Sequence, residues 1–175
     1  MKEKIRQFLE KEGAGRIISR KLSKAPGQAG IFQTVRLVRA IVDVCKASPV
    51  LRTEAVRVIS AMPKRGGPSA DADAIWHYLK GRTKYVPDIN GIEVLQTPRY
   101  TLRHGGGDCD DLSILMGSYL EAVGGQVKFR IAGSGGTWKH IYPVHWTGKT
   151  WRPVDLTLKA PGIENRIKYT QFKDF

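Results

Sequence analysis

The chain has 175 residues, a hydrophobic content of 41% and a net charge of +13, which suits one folded domain and excludes a disordered chain. Two cysteines, Cys45 and Cys109, exclude a disulfide framework and suit a reducing compartment. No apolar run reaches membrane-spanning length and Met1 to Phe8 lacks a signal-peptide core, so a cytoplasmic protein with no membrane contact is expected.

The charge is uneven. Residues 1–65 hold fifteen Lys/Arg against five Asp/Glu, and residues 66–175 hold fourteen against eleven. A basic first third suggests weak, non-specific polyanion contact, but no nucleic-acid motif or aromatic-interleaved basic run accompanies it. Residues 2–12 read as a short charged helix and Gly13 to Gly30 as a loop, so residues 1–30 form a basic arm. Ile31, Val35, Val38, Val42 and Cys45 then recur at helical spacing, which makes Cys45 a core residue. Ser48-Pro49 opens a second helix with Leu51, Ala55, Val58 and Met62 inward, broken by Lys64-Arg65-Gly66-Gly67-Pro68. Ser69 caps a third, burying Ala72, Ile75, Trp76 and Leu79, with His77 outside. From Tyr85 to Gly107 no helical period is visible, and so long a connection points to function.

Gly105-Gly106-Gly107-Asp108-Cys109-Asp110-Asp111 delivers the chain into another helix, whose buried face is Leu112, Met116, Leu120 and Val123. Asp108 suits the N-cap and Asp111 its capping-box partner. Cys109 is then the first helical residue, at the positive end of the dipole. Three neighbouring carboxylates oppose thiolate formation, so a cationic partner is required. Those carboxylates match no recognised metal cage, and neither metal nor other cofactor is expected.

The remainder alternates with period two. Val127, Phe129 and Ile131 share one face of a strand. A turn at Gly133-Ser134-Gly135-Gly136 leads to a strand with Trp138, His140, Tyr142, Val144 and Trp146 on one face. Gly148-Lys149 fits a two-residue hairpin, which sets Trp146 opposite Trp151 and Tyr142 opposite Asp155. Asp155 is thus the diagonal neighbour of His140, within reach of an imidazole–carboxylate hydrogen bond, while parity excludes His145. Pro143 invites a bulge that would shift this pairing. A carboxylate-oriented imidazole beside a cysteine at a helix start is the arrangement nucleophilic thiol catalysis uses. The element order, helices followed by an antiparallel meander, is α+β.

Gly107-Asp108-Cys109-Asp110-Asp111, Lys139-His140-Ile141-Tyr142 and Trp151-Arg152-Pro153-Val154-Asp155-Leu156 resemble the transglutaminase-like superfamily of papain-type cysteine enzymes. Arg82 to Asp88 looks like that family's lead-in, and Asp88 to Pro98, with Gly91, Glu93 and Gln96, is similar to small bacterial and bacteriophage members. The resemblance covers residues 69–157 and implies one domain over 31–175, with the cysteine helix packed on the sheet. It further implies acyl transfer through a thioester by Cys109, His140 and Asp155, acting on a peptide or protein amide. The oxyanion donors it implies are the Cys109 backbone N–H and a side chain from the preceding segment. Gln96 is the candidate, with Trp76 and Tyr100 as alternatives; His104, just before the glycine run, is within reach of the site entrance, although a loop histidine is more often solvated.

Hydrolysis, hence a protease or amidase, is the favoured reaction because water is always an available acceptor. Transfer to an amine, as in a true transglutaminase, is one alternative. The other is a catalytically idle bacterial or phage module that uses the fold and its basic third to bind a protein or DNA. On each of these readings the expected setting is a bacterial or phage-infected cytoplasm, with association to a virion as an alternative.

Overall fold

The structure, a computed structural model, describes residues 7, 17–19, 28–62, 66–89 and 94–175. Apart from Gln7, which is helical, the expected helix over 2–12 lies outside the described residues, as do most of the basic arm, Lys64-Arg65, Gly91 and Glu93. The helices with described bounds are, in chain order, α1 (Gln28–Cys45), α2 (Pro49–Ser60), α3 (Pro68–Lys80), α4 (Pro98–His104) and α5 (Cys109–Ala122). The strands are β1 (Ile17–Ser19), β2 (Lys84–Tyr85), β3 (Val94–Gln96), β4 (Gly106–Gly107), β5 (Val127–Ser134), β6 (Thr137–Trp146), β7 (Trp151–Pro153) and β8 (Gln171–Asp174).

The cysteine helix, α5, is the axis of this α+β fold. One apolar face was expected, but Leu112, Ile114, Leu115, Met116, Tyr119 and Leu120 are all buried. A helix apolar all round belongs at the centre of a core, and two clusters meet on it. On one side it packs with α2, α3 and Val154. On the other, Ile114 joins Val35, Val38 and Val42 of α1 and Phe129, Ile131 and Ile141 of the sheet. Arg39 on α1 forks across Glu121 at 2.5 and 2.6 Å, which fixes the far end of α5 to α1.

The expected helix faces are otherwise in place, and Cys45 packs partly buried in the α1 cluster. Ser48 caps α2, its side chain accepting from the Leu51 N–H. On α3 the cap is Gly67, with Pro68 at the first helical position, so Ser69 lies inside the helix and not at its cap. The stretch from Tyr85 to Gly107 is more structured than its lack of period implied. Pro98 is the first-turn proline of α4, and seven residues are too few to display periodicity. β2 and β4 form a two-residue parallel bridge, and β1, inside the expected arm, pairs antiparallel with β3.

The main sheet is antiparallel with order β7-β6-β5-β8. Across β6–β7, Trp146 faces Trp151 and Val144 faces Pro153, as the hairpin predicts. Val154 N–H still donates to the Pro143 carbonyl at 3.0 Å, so the proline brings no register shift on this side. The irregularity is on the β5 side, between Ala132 and Gly133: Ala132 pairs with His140 but Gly133 with Trp138, leaving Lys139 as the extra residue of a β-bulge. A Cβ on Gly133 would collide with the Thr137 carbonyl, so glycine permits this close approach. The bulge overturns one expectation. Trp138 packs with Ile131 and Ile141 on the α1 side, while Tyr142 and Val144 share the opposite cluster with Ala132.

Candidate active site

The N-terminus of α5 is fixed by its own sequence. The Asp108 carboxylate accepts from the Asp110 and Asp111 N–H groups, and the Asp111 carboxylate accepts from the Asp108 N–H, forming the expected capping box. Asp111 also accepts from the Gln96 N–H at 2.6 Å, which pins β3 to the helix start. A side chain on Gly107 would overlap the Asp111 carboxylate, so glycine precedes the cap for want of room. The Ser113 hydroxyl lies 2.6 Å from the Cys109 carbonyl and 3.1 Å from the Ile141 carbonyl, tying the first turn to β6 beside His140.

His140 is held from three directions. Its Nε2 lies 2.6 Å from Asp155 Oδ2, and an ionised carboxylate can only accept, so Nε2 carries the proton. Asp155 is itself clamped. Its Oδ1 accepts from the Thr157 N–H at 2.8 Å, and its backbone carbonyl accepts from the buried Trp76 indole at 2.9 Å. The imidazole lies near-parallel to the rings of Tyr142 and Tyr169, with centroids 5.3 and 5.6 Å away. Such packing fixes the ring plane and leaves Nδ1 as the nitrogen that can exchange a proton.

Cys109, His140 and Asp155 line one cavity of about 410 Å³, within the roughly 300–1,000 Å³ typical of small-ligand sites. Tyr85 stands at its side, and its phenol is pushed above the ordinary tyrosine range by burial and by nearby Cys109 and Asp108. The opposite wall comes from the segment after β7, which the sequence left without structure. That segment is anchored to the sheet through Glu164, which accepts from the Tyr142 hydroxyl and from Arg130, both at 2.7 Å. Tyr169 and Lys168 of this wall carry no periodic signal, whereas Tyr142 was already on the His140 face by parity.

Electrostatics at the helix start differ from the naive count of three carboxylates. Burial pushes Asp111 up to about 8, despite the N–H groups of Gln96 and Asp108 that favour its anion. Burial, followed by a hydrogen bond shared with Asp108, raises Asp110 well above the carboxylate range. Asp111 is therefore largely protonated at neutral pH and Asp110 is shifted in the same direction, so the repulsion opposing a Cys109 thiolate is smaller than the sequence implied. The three aspartates cluster closely enough to suggest a cation, but Asp108 and Asp111 already accept the capping and Gln96 bonds.

Asp111 gives the fold a pH dependence. Its folded-state value lies above its unfolded one, so its contribution is fully present below about pH 4 and lost as pH rises through about 8. Denaturant melts between pH 5 and 8.5 are expected to show stability falling with pH, and Asp111→Asn is expected to flatten that slope. Equal slopes in both proteins would contradict the assignment.

Gln96 reaches the helix start through its backbone, but it does not line the cavity and its buried Oε1 has no hydrogen-bond partner. Trp76 is committed to the Asp155 carbonyl. Tyr100 stacks on His104 with centroids 3.6 Å apart, and the exposed His104 does not line the cavity. His77 is exposed. His145 is buried outside the cavity, opposite Arg152, with burial and that guanidinium both favouring its neutral form.

No family model and no curated protein matches this chain. Its fold is similar to that of a Cytophaga hutchinsonii protein provisionally named a cysteine protease, with a TM-score of 0.50 and 14% identity. That match covers 70% of this chain and 41% of the other. It is also similar to a provisionally named protease from Parabacteroides distasonis, with a TM-score of 0.55 and 12% identity over 75% of this chain and 31% of the other. The chain therefore spans less than half of either structure, and at these identities the likeness establishes the fold alone. That fold is an α+β arrangement with the cysteine helix packed on an antiparallel sheet. Among the described residues no helix is long and apolar enough to cross a membrane.

Proposed function

We propose that the chain is a cysteine-nucleophile acyl-transfer enzyme acting hydrolytically on peptide or protein amides, in the manner of a transglutaminase-like protease or amidase. The observation that carries this reading is the 2.6 Å contact of His140 Nε2 with Asp155, in a ring sharing its cavity with Cys109. Asp155 fixes the tautomer and stabilises the imidazolium, and His140 Nδ1 accepts the Cys109 thiol proton. The thiolate then attacks the carbonyl carbon. The developing oxyanion is met by the Cys109 backbone N–H, with Gln96 the second candidate donor if its side chain turns toward the cavity. Collapse breaks the C–N bond as the imidazolium returns its proton to the leaving amine, giving a thioester. Water, deprotonated by the same nitrogen, releases the acid and restores the thiol.

The same thioester passed to an amine would make the chain a transglutaminase. In either case residues 31–175 act as one domain of this type, and residues 1–30 are a basic appendage. A fluorogenic amide and ester panel, run on wild-type protein and Cys109→Ala, tests the reading. Turnover that disappears in the variant supports it. Turnover that survives points away from Cys109, and none on any substrate favours an idle binding module.

A further inference from the structure

Charge at the cavity mouth extends the proposed acyl transfer to a substrate class. Lys139 and His140 are adjacent in a strand and would ordinarily point to opposite faces, yet both line the cavity. The bulge explains this, because the extra residue of a β-bulge is re-aimed. Lys168 reaches the same cavity from the segment after β7, with its ammonium 5.3 Å from the centre of the Tyr169 ring. Both lysines are exposed, and neither forms an ion pair with a carboxylate among the described residues.

The acidic groups on the cavity wall are already matched. Glu164 holds Arg130 at 2.7 Å and Arg166 at 2.6 Å, and Asp155 holds His140. Of the aspartates at the start of α5, Asp110 and Asp111 are buried away from the cavity, and Asp108 is turned into the helix cap. The mouth is therefore a cationic pair without an internal counter-ion, beside an apolar rim formed by Tyr85 and Ile163, which are 54% and 48% exposed. Such a surface concentrates anions and disfavours cations.

We propose that the site, given the acyl-transfer reading above, takes substrates that carry a carboxylate next to the amide it attacks, with Lys139 and Lys168 as the groups that recognise it. An acidic peptide bearing Asp, Glu or a free α-carboxylate beside the reacting bond fits this description. A peptide with a basic residue there does not.

The test uses Cys109 alkylation by two reagents of similar size, anionic iodoacetate and neutral iodoacetamide, read by peptide mapping of the intact folded chain. The iodoacetate-to-iodoacetamide rate ratio at low salt is expected to fall by about threefold or more in Lys139→Gln/Lys168→Gln. That difference is expected to shrink as salt rises. Lys149→Gln, at the exposed tip of the β6–β7 hairpin, is expected to leave the ratio unchanged. An unchanged ratio in the double variant, or an equal fall in Lys149→Gln, would overturn the proposal while leaving the nucleophile assignment intact. Failure of Cys109 to react even with iodoacetamide would instead remove the acyl-transfer reading, and this inference with it. Where turnover is found, kcat/KM for a Glu-containing substrate relative to its Gln counterpart is expected to fall in the same double variant.

Discussion

Iodoacetamide at pH 6 is expected to modify Cys109 at least about a thousandfold faster than Cys45 in the folded chain. Burial in the α1 cluster pushes the Cys45 thiol up to about 12 from an ordinary value of 9.0, which alone removes roughly three orders of magnitude of thiolate. Burial is the cause of that shift, and the cluster around Cys45 brings together apolar side chains of α1 and the sheet. Cys109 differs in each respect. It begins a helix, lines a cavity and shares that cavity with an imidazole hydrogen-bonded to a carboxylate. Cys45 serves as the internal control, and peptide mapping after brief alkylation reads both rates from one sample. Equal rates, or faster loss of Cys45, would remove Cys109 as nucleophile.

Replacing Asp155 separates orientation from mere presence of the imidazole. Asp155→Asn preserves size, but its amide either offers a donor to the Nε2 proton or favours the tautomer with Nδ1 protonated. The base is then unavailable to Cys109, and amide hydrolysis is expected to fall by roughly 10² to 10⁴-fold. His145→Gln is the matched control, since His145 lies off the cavity wall and its Nε2 has no hydrogen-bond partner. Its activity is expected to stay within a few-fold of wild type. Circular dichroism should show both variants folded. A damaging His145→Gln beside a silent Asp155→Asn would require the triad to be redrawn.

The parts of this site that were legible in the sequence are those governed by local rules. Asp108, Cys109 and Asp111 declare a capped helix start because capping needs only residues three apart. His140 and Asp155 could be brought together because a two-residue hairpin fixes register, and side-chain alternation then fixes face. What escaped was set by distant parts of the chain. Two- and three-residue strands such as β2, β3 and β4 hold too few residues to show a period, and α4 was hidden behind a proline that starts helices as readily as it ends them. The bulge at Lys139 depends on β5 pairing with β6, so Trp138 was assigned to the wrong face. The wall after β7 is shaped by Glu164 reaching Tyr142 and Arg130, contacts without any local signature. Reduced repulsion at the helix start was equally invisible, because burial and not composition decides which of three aspartates stays charged.

The central claim is that Cys109 carries the acyl group during turnover, and the intact mass of the chain, quenched in acid while it turns over an activated ester, tests it most directly. The expected spectrum shows one added acyl mass per chain, mapped to the peptide containing Cys109. That adduct should accumulate in wild type, decay on addition of water-miscible amine or longer incubation, and be absent from Cys109→Ala. Turnover with no adduct on Cys109, or an adduct that maps to another residue and persists in Cys109→Ala, would contradict the account.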